Sequence, residues 1–104
     1  MKNIFEYKLP ALDSENFQTL LSHKNVKIKT IISNTLSIPQ TFTQECDEWI
    51  VVLQGCAKIE MDGIVHKLKK GDTLFIEANK PHRLLKTKKV VVWLAVYIDS
   101  TTLT

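Results

Sequence analysis

From Val26 onward, the chain alternates between short runs of β-branched and aliphatic residues and clusters of turn residues. Such runs, with a turn signal about every 8 to 12 positions, are typical of all-β sandwiches and barrels. We therefore predict an all-β domain. The predicted strands are Val26–Ser33, Glu48–Gln54, Cys56–Met61, Ile64–Leu68, Thr73–Ile76, His82–Lys86 and Val90–Ile98.

The turns between these runs are specific. Asp62-Gly63 lies between two runs and predicts a tight hairpin, because a type I′ turn needs a positive φ at both central residues. Two further turns are predicted at Lys69–Asp72 and Glu77–His82, and the second contains a proline. The number of strands suits a double-sheet jelly roll.

Only one stretch has a helical pattern. Ser14 is a suitable N-cap, and Phe17, Leu20 and Leu21 follow at the i, i+3, i+4 spacing of one helix face. We therefore predict a short helix over Ser14–Leu21. The expected organisation is a single domain over residues 1–104, with the helix and its lead-in at 1–25 and the barrel core at 26–98.

The composition places the chain among ordinary globular proteins, with 44% hydrophobic and 24% charged residues in 104. Its longest apolar run, Val90–Ile98, is far shorter than the roughly 20 residues of a transmembrane helix, so we expect no membrane partner. The formal net charge of +3 comes largely from lysines near predicted turns. Because these lysines are not interleaved with stacking aromatics, we expect no nucleic-acid partner.

The N-terminal residues and the cysteines bear on the compartment. Charged residues interrupt every apolar stretch near the N-terminus, which is unlike a secretory signal. Cys46 and Cys56 form neither a C-x-x-C pair nor a dense framework, which favours reduced thiols over a disulfide between them. The expected location is the cytoplasm.

From Glu48 to His82, the spacing of particular residues resembles the two-motif core of the cupin superfamily. Glu48 is followed by Gly55 after six residues, and the Gly71-Asp72 turn is followed by His82 at the end of a proline-containing loop. The resemblance covers about residues 42–98 and is closest to small single-domain cupins of the conserved-barrel (cupin-2-like) type. It implies a jelly-roll β-barrel with a pocket at its mouth.

The resemblance also implies a metal site, which is degenerate in this chain. Cupins of this kind take two histidines and a glutamate from the first motif and one histidine from the second. Here the glutamate is Glu48 and the second-motif histidine is His82, but the other two histidines are replaced. Their positions fall on Phe42 and Gln44 in one register and on Thr41 and Thr43 in the other.

Alternation along the predicted strands indicates a pocket with a polar mouth. Residues that share one parity face one side of a sheet, so polar side chains near the start of the strand are followed by aliphatic ones deeper in. An apolar cavity with a few convergent polar groups is typical of small-molecule sites. The predicted pocket residues are Phe42, Gln44, Cys46, Ile50 and Leu84, and the polar anchors are Glu48, Gln44 and His82.

Three functions remain open at this stage. The first is binding of a small molecule at the barrel mouth. The second is a metal-dependent enzyme, of the oxygenase or isomerase kind, with Glu48 and His82 as catalytic residues. Its divalent metal would be zinc, iron, manganese or nickel, held by His82 and Glu48 with Gln44 or Cys46. The third is a structural or regulatory homodimer with a vestigial pocket.

A homodimer is also expected on general grounds. A small jelly roll leaves edge strands and apolar surface uncovered. Val90–Ile98 is apolar at every position, so both of its faces require cover.

Overall fold

The computed structural model describes residues 3–99, and the all-β prediction is confirmed. These residues form seven strands, and all of the pairings among them are antiparallel. Among the residues described, no helix is long and apolar enough to cross a membrane. The strands are β1 Ser14–His23, β2 Val26–Asn34, β3 Gln40–Phe42, β4 Asp47–Met61, β5 Ile64–Lys69, β6 Thr73–Ile76 and β7 His82–Ile98.

The two longest strands, β4 and β7, each contribute to two faces of the barrel. The first half of β4 pairs with β6 and with the last part of β7. The last part of β7 also pairs with β2, and β2 pairs on its other side with β1. The second half of β4 pairs with β5 and with the first part of β7, which also pairs with β3. The result is a double-sheet jelly roll in which β4 and β7 cross from one sheet to the other.

The crossing explains why four predicted strands merge into two. The sequence suggested breaks at Gly55 and at Lys89, and both residues instead form bends with positive φ inside a continuous strand. At Gly55, a Cβ atom would lie only 2.6 Å from the Val90 carbonyl oxygen. Glycine is therefore required there by the close approach of β7 as well as by its φ of 87°.

The predicted hairpin is present. Asp62 and Gly63 have φ values of 55° and 76°, as a type I′ turn requires, and they join β4 to β5. Met61 pairs with Ile64 directly across this turn.

The predicted N-terminal helix is wrong. Ser14–Leu21 lies within β1, which pairs along its whole length with β2. The register is irregular between Thr19 and Leu21, where Leu20 is an extra residue that forms a β-bulge. The apolar residues Phe17, Leu20 and Leu21, which have the spacing of a helix face, therefore lie around a bulge in a strand. The ladder of hydrogen bonds to β2 outweighs the weak local helical preference. The sheet therefore begins at Ser14, whereas the barrel core was expected to begin at residue 26.

The hydrophobic core lies between the two sheets. Val52 and Val91 are fully buried and lie next to the bends of β4 and β7, and fully buried Ala95 lies farther along β7 opposite Ile50. The opposite end, where β4 begins and β7 both begins and ends, is the mouth of the barrel. Other members of the core are Ile31, Leu36, Ile50, Ala57, Ile59, Leu68, Ile76, Leu84 and Trp93.

An apolar row crosses the outside of the first sheet. The strand register aligns one residue from each of five strands side by side. Both ends of the row are well exposed, with Leu21 at 48% and Phe75 at 50%. We call this set the outer row; it consists of Leu21, Ile28, Val96, Trp49 and Phe75.

Candidate functional site

A cavity of about 80 Å³ lies between the sheets at the mouth of the barrel. Sites for drug-sized ligands usually measure about 300 to 1,000 Å³, so this cavity suits a compound of few atoms. Its walls are mostly aliphatic and aromatic, and its polar groups come from both sheets. The lining residues are Glu15, Phe17, Ile31, Phe42, Gln44, Glu48, Ile50, Ile59, Ile76, His82, Leu84, Trp93 and Tyr97.

Glu48 stands at the start of β4 and is only 5% exposed. Its Oε1 accepts a hydrogen bond of 2.7 Å from the Gln44 amide Nε2. The Tyr97 hydroxyl, on the neighbouring strand, also hydrogen-bonds this carboxylate. Two donors therefore compensate a buried carboxylate that would otherwise be costly to remove from water.

His82 stands at the start of β7 and is 7% exposed. Its Nδ1 lies 3.1 Å from the Lys80 carbonyl oxygen. Because a carbonyl oxygen only accepts, Nδ1 carries the hydrogen and Nε2 of the neutral ring is an acceptor. Nε2 lies 3.9 Å from Glu48 Oε1, too far for a direct hydrogen bond, so the two acceptors face the same space.

The Phe42 ring stacks against one face of the His82 imidazole. The two ring centroids are 5.8 Å apart with an interplanar angle of 25°, and the residues are direct partners across β3 and β7. Phe42 occupies one of the positions where the resemblance implied a histidine ligand. The structure thus shows that Phe42, a predicted pocket residue at a replaced histidine position, provides an apolar stacking surface there.

The loop before His82 is attached to the segment before Glu48. Asn79 N donates to the Gln44 carbonyl oxygen at 2.7 Å, and Ala78 N donates to Asp47 Oδ1 at 2.8 Å. Asn79 has a φ of 62°, a conformation that asparagine tolerates better than most residues. These bonds fix the relative positions of the two motifs that supply Glu48 and His82.

Glu15 is the site residue that sequence reasoning missed. It lines the cavity from β1, and its carboxyl group accepts a hydrogen bond from Ser33 Oγ. Glu15 lies inside Ser14–Leu21, the segment that was predicted to be a helix, and this prediction concealed its place in the cavity. Tyr97 and Trp93 also line the cavity, and the alternation Val91, Trp93, Ala95, Tyr97 along β7 places them on one face of the strand.

The electrostatic setting of the cavity follows from burial and from its carboxylates. Burial, with a smaller contribution from the Glu48 charge, raises the pKa of Glu15, while the Ser33 hydrogen bond opposes the shift. Burial and the nearby Glu48 charge raise the pKa of Tyr97, so its hydroxyl remains a donor. Burial also raises the pKa of the Cys46 thiol, which keeps it protonated and a poor metal ligand.

The predicted site residues are mostly gathered at this cavity. Phe42, Gln44 and Glu48 line it from one motif, and His82 and Leu84 line it from the other. Ile50 also lines it. Cys46 is half-buried and is not among the lining residues. The alternative histidine positions, Thr41 and Thr43, are exposed.

These residues do not fit a resident metal ion. Within residues 3–99, no group of three or more histidine, cysteine, aspartate or glutamate side chains is arranged to hold one. The donors that lie together are the His82 imidazole, the Glu48 carboxylate and the Gln44 amide, whose nitrogen donates to that carboxylate. Glu15 lines the same cavity but does not complete a group of three with His82 and Glu48. A neutral amide is a weak third ligand for zinc or iron.

Comparison with known proteins identifies the family to which the chain belongs. A family model with the description "Cupin domain" matches residues 29–97. That range contains both motifs and every cavity residue except those on β1. No curated protein matches the chain.

Solved structures share the fold over most of the chain. A "putative mannose-6-phosphate isomerase" from Ralstonia eutropha JMP134 is 36% identical, with a TM-score of 0.84 over 96% of this chain and 98% of that one. A cupin superfamily protein from Desulfitobacterium hafniense DCB-2 is 19% identical, with a TM-score of 0.72 over 88% and 83%. An RmlC-like cupin from Shewanella frigidimarina NCIMB 400 is 13% identical, with a TM-score of 0.76 over 90% and 84%.

Proposed function

The chain belongs to the cupin superfamily, and on that premise we propose that it binds a small molecule at the mouth of its barrel. The polar anchors of the proposed site are Glu48, Gln44 and His82. Cupin barrels carry many unrelated activities, so the proposal is based on the chemistry of the site rather than on the fold.

One observation supports this proposal most strongly. The Glu48 carboxylate and the His82 Nε2 atom are buried acceptors that face each other across 3.9 Å without a direct hydrogen bond. Buried polar groups usually have partners, and a ligand donor between these two would give His82 Nε2 a partner and Glu48 Oε1 a further one beside Gln44. The aliphatic walls below them would hold the apolar part of the same ligand.

A screen of small compounds by thermal unfolding tests the proposal. A ligand that binds only the folded state raises the melting temperature as its concentration rises. We expect hits with the unaltered chain and their loss in Glu48→Gln and His82→Ala. Glu45→Gln is the matched control, since Glu45 is an exposed carboxylate in the same segment. Hits that persist equally in all three variants would contradict the site.

A second candidate is a metal-dependent isomerase. The observation in its favour is the similarity to the putative mannose-6-phosphate isomerase from Ralstonia eutropha, which is 36% identical over nearly the whole chain. Its divalent metal would be zinc, iron, manganese or nickel, bound to His82 and Glu48 with Gln44 or Cys46. The donor set described above argues against it, and for that reason we place it second.

Metal analysis separates the two candidates. The protein is purified without chelator or affinity resin, and its metal content is compared with that of His82→Ala. We expect no stoichiometric metal, even after reconstitution with each of the four ions. Stoichiometric metal that disappears in the variant, together with turnover of mannose 6-phosphate, would replace our first proposal by the second.

We further propose a cytoplasmic homodimer. The free thiols Cys46 and Cys56 support a cytoplasmic location. The outer row supports a homodimer, because two copies would cover each other's exposed apolar side chains. Light scattering at micromolar concentration should give twice the mass of one chain. Trp49→Lys should give one chain mass, whereas Val65→Lys, an exposed apolar residue outside the row, should not. A monomer without any substitution would contradict the dimer.

A further inference from the structure

Glu15 is fixed in the cavity by a chain of buried donors. The Trp93 indole Nε1 donates to Ser33 Oγ at 3.0 Å, and the Ser33 hydroxyl donates in turn to Glu15 Oε2. Ser33 is fully buried and Trp93 is 4% exposed. This relay holds one carboxyl oxygen against β2 and leaves the other lone pairs of the carboxyl group for the cavity.

The donors of the site are largely committed to the protein itself. Gln44 donates to Glu48, the Tyr97 hydroxyl is bonded to Glu48, and the Ser33 and Trp93 donors serve Glu15. Apart from the second amide hydrogen of Gln44, what faces the cavity is acceptors: the two carboxyl groups and His82 Nε2. A ligand that matches this cavity must therefore donate hydrogen bonds.

The charge of the cavity also favours a ligand that donates hydrogen bonds. None of the described residues that line it is a lysine or an arginine. The ammonium group of Lys29 is engaged nearby, 5.4 Å from the centroid of the Tyr97 ring, and Lys29 is not a lining residue. The raised pKa of Glu15, caused first by burial and also by the charge of Glu48, indicates that the two carboxyl groups sense each other. A cation between them would relieve this repulsion.

We infer that Glu15 is a second anionic anchor and that the cavity takes a small organic ammonium compound. This inference rests on the proposed function. The ammonium group would donate hydrogen bonds to Glu48 and His82 Nε2, with the negative charge of Glu15 adding to its attraction from the opposite wall, and a short apolar chain would occupy the space beside Ile50 and Leu84. The cavity of about 80 Å³ limits the compound to a few non-hydrogen atoms. A phosphorylated sugar meets neither this size nor this charge.

Four probes test the charge preference directly. Propylammonium, 1-propanol and propionate share a three-carbon chain and differ in charge, and mannose 6-phosphate represents the phosphorylated sugars. Each is titrated into the full chain at one pH and one ionic strength, and binding is followed by the amide NMR signals of the lining residues. We expect propylammonium to bind about tenfold more tightly than 1-propanol, because its hydrogen bonds are charge-assisted. The two anions should not bind.

Glu15→Gln tests the role of the second anchor. The variant retains an oxygen that can accept the Ser33 hydrogen bond, and a well-dispersed spectrum verifies that it folds. We expect it to weaken propylammonium binding about tenfold while changing 1-propanol binding little. Glu45→Gln, an exposed carboxylate outside the cavity, should leave both unchanged.

The outcomes separate this inference from the proposed function. Binding of 1-propanol or of an anion at the cavity, without a preference for propylammonium, would overturn the inference and leave the small-molecule site in place. An ammonium preference that survives Glu15→Gln would overturn the role of Glu15. If none of the four probes moves a signal from the cavity, both the inference and the proposed function are wrong.

Discussion

The two ends of the barrel are built from the same pair of long strands, yet they are constructed differently. At the end where β4 and β7 bend, Gly55 lets the backbones approach and fully buried Val52 and Val91 fill the space. At the mouth, the same strands present Glu48 and His82 to a cavity. Close packing at one end and a cavity lined by hydrogen-bond acceptors at the other indicate that stability and binding are separable in this molecule.

The separation has a structural cause. β4 and β7 leave the mouth in one sheet, bend, and return to the mouth in the other, so a single pair of strands brings residues distant in sequence to one cavity. Substitutions at the bend should therefore change the free energy of unfolding. Substitutions at the mouth should change binding and leave that free energy nearly unaltered.

The largest effect is expected at the bend, from Gly55→Ala. The new Cβ would lie 2.6 Å from the Val90 carbonyl oxygen, at a φ of 87°. The left-handed conformation costs about 1 kcal/mol or more, and the close contact adds about 1 to 3 kcal/mol. We expect the free energy of unfolding, measured by urea denaturation, to fall by about 3 kcal/mol.

Gly63→Ala is the matched control for that substitution. Gly63 has a similar φ of 76°, but no atom lies within 4 Å of its Cβ position. Its loss should be about 1 kcal/mol, the backbone cost alone. Equal losses at the two glycines would mean that the close approach of β7 contributes nothing.

The next effect concerns a buried hydrogen bond near the bend. Leu36 N donates to Thr87 Oγ1 at 2.7 Å, and Thr87 is 1% exposed. Thr87→Val keeps the shape but leaves that N–H without its acceptor, so we expect a loss of about 1 to 3 kcal/mol by urea denaturation. Thr73→Val, at an exposed position on β6, should change the value by less than about 0.5 kcal/mol. A negligible loss at Thr87 would indicate that the bend does not depend on this contact.

At the mouth, Glu48→Gln should separate stability from binding. The amide oxygen of the new side chain can still accept from Gln44 and Tyr97, and one buried charge is removed beside Glu15. We expect the free energy of unfolding to change by less than about 1 kcal/mol. Ligand binding, measured by the melting-temperature shift, should be lost. A loss of several kcal/mol would mean that the carboxylate is part of the core, against the division between the two ends.

The smallest effect is a pH dependence from Glu15. Burial raises its pKa above the ordinary value of 4.5, so the folded state keeps this proton to higher pH than the unfolded state does. Stability therefore falls as the pH rises from below 4.5 through the raised pKa. The effect is small because Glu15 is partly exposed.

Urea denaturation between about pH 4 and about pH 8 tests this sign. The stability of the unaltered chain, relative to Glu15→Gln, should decrease across this range. A relative stability that increases with pH would contradict the burial of this carboxyl group and its place in the cavity.

The sequence predicted most of the barrel because the signals were local. Asp62-Gly63 requires a particular turn, and alternation along β4 places Glu48 and Ile50 on one face. The breaks expected at Gly55 and Lys89 became bends, because a glycine or a turn residue alone does not reveal whether pairing continues on both sides. Such continuity depends on the partner strand.

The errors at the site came from the same limitation. A helical spacing in Ser14–Leu21 concealed Glu15, since pairing with β2 and the bulge at Leu20 are tertiary facts. Motif spacing predicted one site for Glu48 and His82, whose side chains lie 3.9 Å apart, but it left open what replaces the missing histidines. Only the structure places the Phe42 ring against the imidazole and the Gln44 amide on the carboxylate.

A crystal structure of the chain with the tightest-binding compound from the screen would show directly whether the mouth cavity is the binding site. We expect the compound inside this cavity, with a donor atom about 3 Å from the Glu48 carboxylate and apolar atoms against Ile50 and Leu84. A metal ion coordinated by Glu48 and His82 in that space, or a compound bound elsewhere with the cavity filled only by water, would contradict it.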